Sequence, residues 1–161
     1  MEVDRIEPAK TAMIVVDMQN DFVAPGGGLE TPAARAMVPR LVEALQLCRS
    51  AGIKVIYTTH AHRRDGSDMG LFAMHQPIAA RTATVDGTWG IEIYPEVAPA
   101  AGEHVIKRHR YSGFFGTDLD IILLRLDKLG YDVHMIADRF PQRGMFDVKA
   151  PGSVGVGGEA H

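Results

Sequence analysis

The stretch that decides the fold is Thr11-Ala-Met-Ile-Val-Val-Asp-Met-Gln-Asn-Asp-Phe22. Its run from Thr11 to Val16 is short, apolar, rich in β-branched side chains and bounded by polar residues. That pattern predicts a strand buried on both faces, as parallel sheets require, rather than one that alternates between core and water. It is expected to be the central strand. The Asp21-Phe-Val-Ala-Pro-Gly-Gly-Gly28 segment after it is turn chemistry, because glycine takes positive φ without steric cost and proline cannot continue a ladder. Asp17, closing the apolar run, is thereby expected at the carboxyl edge of the sheet, where open α/β sheets build their sites.

Working outward, Val38, Leu41, Leu45 and Cys48 recur at helical spacing and predict a helix from about 37 to 51, with Pro39 tolerable only in the first turn and Gly52 as terminator. Residues 53–59 are again β-branched and predict a second strand. A strand, a helix and a strand in this order imply a right-handed parallel crossover. Residues 60–103 lack a sustained period and read as a long excursion over the sheet edge, a type of loop that is often functional. Val105 and Ile106 begin a third strand, which Lys107 closes. Thr117, with Asp120 three residues on, marks a helix start; Leu119, Ile122, Leu123, Leu126 and Leu129 give it one apolar face, and Gly130 ends it. Residues 131–137 predict a fourth strand. The glycine-rich end, 139–161, is expected to be a weakly ordered tail to a domain spanning 1–138.

Composition sets bounds on this reading. Hydrophobic residues make up 46% and charged residues 23% of the 161, which is ordinary globular usage and enough for a real core. Seventeen Lys and Arg against twenty Asp and Glu give a formal charge of −3, which argues against a nucleic-acid or membrane-surface binder. A single cysteine rules out an internal disulfide framework, and the opening residues lack a signal peptide's apolar core, so a cytoplasmic location is expected. Neither glycine run, 26–28 or 152–158, opens a helix directly after a strand, so neither meets the context of a phosphate loop.

Three ordered segments resemble motifs of the isochorismatase-like cysteine hydrolase superfamily, which includes nicotinamidases, carbamoylsarcosine amidases and ureidoacrylate and biuret hydrolases. They are Val15-Val-Asp-Met-Gln-Asn-Asp-Phe22, Thr59-His-Ala-His-Arg-Arg-Asp-Gly-Ser-Asp68 and the run from Lys107 to Asp120, together covering roughly residues 10 to 125. The resemblance implies a three-layer α/β/α domain with a mostly parallel Rossmann-like sheet, shortened or altered on its C-terminal side. It implies Asp17 as proton carrier and Lys107 as its cationic partner, with Gln19, Phe22, His60, Tyr111, Phe114 and Phe115 as candidate substrate contacts. Phe114 and Phe115 serve equally as pocket walls or as packing under the helix start. The implied substrate is a small amide, ureido or carbamoyl compound; the implied assembly is a homo-oligomer, with no nucleic acid, membrane or cofactor involved. Some nicotinamidases hold a metal with an Asp and two His, but the spacing of His60, His62, Asp65 and Asp68 does not match, and no metal is expected.

The departure from the family lies in the nucleophile. Family members present a cysteine on a turn after the strand that follows the Thr117 helix, whereas the only cysteine here is Cys48, on the apolar face of an earlier helix, where buried thiols act as small hydrophobes. Two alignments are open. In one, residues 132–137 replace the cysteine-bearing strand and Asp138-Arg-Phe-Pro-Gln stands at the nucleophile turn. In the other, which matches more positions, Gly130-Tyr-Asp-Val-His-Met-Ile-Ala-Asp138 corresponds to a later strand, and a strand and a helix are skipped. Both lose the cysteine, and Ser112 has no histidine placed as an obvious base. The expectation is a hydrolase scaffold, impaired or inactive, with a noncatalytic binding or assembly subunit as the alternative.

Overall fold

The computed structural model describes residues 7–70, 72–75 and 82–124. Three strands, β1 (Ala12–Val16), β2 (Lys54–His60) and β3 (His104–Arg108), form a parallel sheet in the order β1-β2-β3. Among the described residues β2 therefore lies in the middle, and β1, expected to be central, flanks it. The register pairs Ile14 with Ile56 and Val16 with Thr58, and across the other ladder Thr59 with Lys107 and His60 with Arg108.

A one-turn helix, α1 (Asn20–Val23), follows β1, so the turn chemistry of 21–28 begins as a single helical turn. The first long helix, α2, runs over Pro32–Ser50, five residues earlier than the apolar spacing predicts. Pro32 stands at its first turn, where proline's missing N–H costs nothing, and the small residues Ala33, Ala34 and Ala36 carry the helix forward without a long apolar stripe. Pro39 consequently sits inside the helix rather than in its first turn.

The sheet is packed on both faces, although Val16 of β1 and Val105 and Lys107 of β3 remain exposed. Val15, Val55 and Tyr57 pack with Val38 and Leu45 of α2 and with Val97, while Ile56 and Ile106 pack with Leu119, Ile122 and Leu123 of the helix α4 (Leu119–Leu124), joined by Ala12, Ile14 and Phe114. Alternate β2 residues thus face opposite helix layers, as the period-2 geometry of a strand dictates. The three-layer α/β arrangement expected from the sequence is present. Between β2 and β3 the chain makes a short helix α3 (Phe72–His75) and 3₁₀ turns at Trp89–Ile91 and Pro95–Val97. Thr117 caps α4 through its Oγ1, which accepts from Leu119 N at 3.2 Å, but the Asp120 carboxylate accepts from Ile121 N at 2.9 Å. The fourth strand, the end of the Thr117 helix and the tail lie outside the described residues.

Candidate active site

Asp17 leaves β1 with φ at +57°, a left-handed conformation that an aspartate tolerates better than a bulky residue. Its N–H still donates to Thr58 O at 3.0 Å, so the turn begins only after the last ladder bond. The carboxylate projects from the carboxyl edge of the sheet, where Oδ2 accepts from Arg108 Nη2. Oδ1 is buried and accepts no hydrogen bond from the protein. Burial raises the Asp17 pKa to about 6, and the Arg108 charge and its hydrogen bond only partly offset this.

Arg108, the last residue of β3, is 2% exposed. Its Nη1 donates to Arg110 O at 2.7 Å and to His60 Nδ1 at 2.8 Å. A guanidinium has no acceptor, so His60 Nδ1 must be the unprotonated nitrogen and the neutral ring carries its proton on Nε2. That nitrogen lies 3.0 Å from His62 Nε2, so His60 donates and His62 accepts. Burial, then repulsion from the Arg108 charge, pushes the His60 pKa down to about 3, and burial lowers that of His62 as well. The result is a directed chain from a permanent cation through two neutral imidazoles. Tyr111 stacks over His60 with ring centroids 6.2 Å apart.

The segment after Asp17 holds the neighbouring loops. Gln19 is fully buried, and its side-chain amide donates to His60 O and Ile91 O, both at 3.0 Å, and accepts from His60 N at 2.7 Å. Asn20 Nδ2 donates to Trp89 O at 3.0 Å. Asp21 accepts from Gly28 N at 3.0 Å and from Thr84 N at 2.6 Å, and Thr84 is itself held at φ +54°. Residue 90 is glycine because a Cβ there would overlap the Asp21 carboxylate. A polar cluster that looks like substrate chemistry in the sequence is in large part a set of backbone clamps.

The structure brings Asp17, His60 and Tyr111 together, with Arg108 between the first two. Lys107 is not brought to Asp17: its side chain is 46% exposed and pairs with Asp86 at 2.7 Å, holding that carboxyl below its usual range. Gln19 spends its amide on the backbone, Phe22 packs against the core under α2, Phe114 packs beneath α4, and Phe115 is exposed. Ser112 Oγ accepts from Phe114 N at 3.2 Å. Cys48 is half-buried near the end of α2 that leads into the start of β2, so it lies at the amino edge of the sheet, opposite Asp17, and burial raises its thiol pKa.

Sequence reasoning missed Arg108 as a member of the site, and it paired His62 with His60 for hydrogen-bonding or substrate contact without placing His62 among the candidate contacts. Strand parity held the signal: Arg108 shares a face with the buried Ile106, and Lys107 with the exposed Val105. Among the described residues no group of three or more His, Cys, Asp or Glu is placed to hold a metal ion, and no helix is long and apolar enough to cross a membrane.

Comparison with known proteins agrees with this architecture. Residues 11–137 match the isochorismatase domain model. The chain is 31% identical over 136 residues to the ureidoacrylate amidohydrolase RutB of Rhizobium rhizogenes, covering 73% of this chain and 55% of that one. It is 33% identical over 115 residues to a probable inactive nicotinamidase of Arabidopsis thaliana, covering 70% and 59%. The crystal structure of a cysteine hydrolase from Pseudomonas syringae superposes with a TM-score of 0.71 at 35% identity, covering 76% of this chain and 57% of that one. The chain thus spans little more than half the length of these relatives. Motifs, fold and matched length agree: this chain belongs to the isochorismatase-like cysteine hydrolase superfamily.

Proposed function

We propose that the chain is a hydrolase scaffold that binds a small amide, ureido or carbamoyl compound at the Asp17–Arg108 edge of the sheet, and that its C–N bond hydrolysis is impaired for want of a nucleophilic thiol. The observation that carries this is the ion pair between the buried Arg108 and the partly buried Asp17, with the neutral His60 beside it. Asp17, titrating near pH 6, is suited to exchange a proton near neutrality, and Arg108, not Lys107, is the cation that would balance an anion formed there. Relatives named for ureidoacrylate and N-carbamoylsarcosine hydrolysis support the substrate class, and the relative named a probable inactive nicotinamidase supports a scaffold that persists without turnover.

Amide hydrolysis in this manner needs a thiolate to attack the carbonyl, a base to take the thiol proton and an acid to return it to the leaving nitrogen. Loss of a nucleophile that works as part of a unit removes rate by factors on the order of 10⁴ to 10⁶. Cys48 lies at the wrong edge of the sheet to replace it. The test is ammonia release and calorimetric binding with nicotinamide, N-carbamoyl and ureido compounds, on wild type and Asp17→Ala. Binding that weakens in Asp17→Ala, with no ammonia from either protein, is expected. Ammonia release that Asp17→Ala abolishes would overturn the impaired reading, and absence of binding would overturn the scaffold.

A further inference from the structure

Asp21 lies outside the Asp17, Arg108 and His60 cluster, yet a line of short bonds connects it to the second imidazole. Its Oδ2 accepts from Thr84 N at 2.6 Å, and Thr84 O accepts in turn from His62 N at 2.6 Å, with all three residues buried. The His62 carbonyl accepts from Asp86 N at 2.8 Å, so residues 84–86 run beside residue 62 as an isolated parallel bridge. His62 stands just beyond the ladder: His60 is the last residue in register with β3, and Ala61 N makes the final bond to Arg108 O at 3.0 Å. The backbone of His62 therefore takes its direction from residues 84–86 and not from the sheet.

Thr84 bears the strain of this arrangement. Its φ of +54° is a left-handed conformation that β-branched residues avoid most of all. That turn aims the Thr84 N–H at Asp21 and its carbonyl at His62 at the same time. The carboxylate that holds it is fixed in turn, since Oδ1 accepts from Gly28 N at 3.0 Å and the Gly90 backbone lies where only a residue without a Cβ fits. A strained residue, over-determined by its surroundings and next to a site, points to a role in positioning.

We propose that Asp21 is a positioning residue that acts through the Thr84 backbone to set the proton arrangement of the His60–His62 pair. The pair works in one direction. His60 Nδ1 accepts from Arg108, so its Nε2 carries the proton, and His62 Nε2 must be unprotonated to accept it at 3.0 Å. Neutral His62 therefore carries its proton on Nδ1, an arrangement that lasts only while its ring stays within reach of His60. Burial keeps His62 in the neutral form on which this depends. The functional meaning rests on the Asp17 edge being the site, but the proton arrangement itself stands whether or not an amide binds.

Ring ¹⁵N spectra and amide exchange on the full chain test it. In the wild type His60 Nε2 is expected in the protonated range and His62 Nε2 in the unprotonated range. Asp21→Ala is expected to move His62 Nε2 toward the protonated range and to speed exchange of the His62 amide at least about ten-fold, while the Ile56 amide in β2 is unchanged. Thr84→Gly, in which glycine takes the same φ without strain, is expected to keep the wild-type signature. Gly90→Ala, which pushes on the carboxylate without removing it, is expected to shift His62 in the same direction as Asp21→Ala and decides the matter if that variant does not fold. A folded Asp21→Ala protein with the wild-type His62 signature overturns the proposal. So does equal acceleration at His62 and Ile56, which would make Asp21 a general stabiliser, and so does a His62 shift in Thr84→Gly, which would place the hold in the threonine side chain.

Discussion

Arg108 and Asp17, ninety-one residues apart in sequence, meet as an ion pair at the carboxyl edge of the sheet, the guanidinium buried and the carboxylate partly so, while Lys107, one residue earlier, reaches out to Asp86 at the surface. Burying one charge without its partner costs about 3–5 kcal/mol, whereas an exposed pair contributes about 0–1 kcal/mol. Arg108→Met is therefore expected to lower unfolding stability by several kcal/mol, Lys107→Ala by less than about 1 kcal/mol, and Asp17→Asn/Arg108→Met by much less than Arg108→Met alone. Urea denaturation of the three variants measures this. Equal losses for Arg108→Met and Lys107→Ala would contradict the geometry.

Asp17 and His60 impose opposite pH dependences. The folded pKa of Asp17, about 6, lies above the ordinary 3.8, so its contribution to stability is full below pH 3.8 and lost as pH rises through 6. The folded pKa of His60, about 3, lies below the ordinary 6.5, so its contribution is full above pH 6.5 and lost as pH falls toward 3. Between pH 4 and 6 the two oppose each other. With Asp17→Asn, stability is expected to rise with pH across this window, and with His60→Gln to fall, each by a few kcal/mol at about 1.4 kcal/mol per pH unit. Denaturation midpoints collected from pH 4 to 7 give both slopes, and slopes of the same sign in the two variants would refute the assignment.

Gln19 satisfies three backbone groups at once: His60 N, His60 O and Ile91 O. Replacement by leucine leaves them without that partner at a buried site, at about 1–3 kcal/mol for each group left unsatisfied. Gln19→Leu is expected to destabilise by several kcal/mol and to shift the ¹⁵N resonances of the His60 ring, because the backbone that aims the ring at Arg108 is no longer clamped. Unchanged ring resonances in a folded Gln19→Leu protein would show that Arg108 and His62 alone orient it.

Gly90 and Cys48 give a contrasting pair. Gly90→Ala forces a methyl into the Asp21 carboxylate and is expected to cost at least about 1–3 kcal/mol, as overpacking does. Cys48→Ala, on a half-buried helix face at the far edge of the sheet, is expected to change stability by about 1 kcal/mol and to leave ligand affinity unchanged. Thermal melts and calorimetry distinguish these outcomes, and an affinity loss in Cys48→Ala would return the thiol to consideration at the site.

The local elements were legible because they depend on short-range periodicity. The apolar run 12–16, the β-branched run before His60 and the Thr117 cap each state their conformation within a few residues, and the family motifs add their order. The start of α2 was not legible, since Pro32 and the alanines extend the helix without an apolar stripe. Phe22 and Phe114 were equally ambiguous, because an aromatic side chain suits a core as well as a pocket until its neighbours are known.

By itself the sequence determined the parallel α/β class, the position of Asp17 at a strand end and the remoteness of Cys48 from it. Only the tertiary structure decided which basic residue meets Asp17, and whether Gln19 faces a ligand or the backbone. The physical reason is strand parity. Successive residues point to opposite sides, so a shift of one position exchanges a buried partner for a solvated one, and the ladder that pairs His60 with Arg108 exists only once β2 and β3 are side by side.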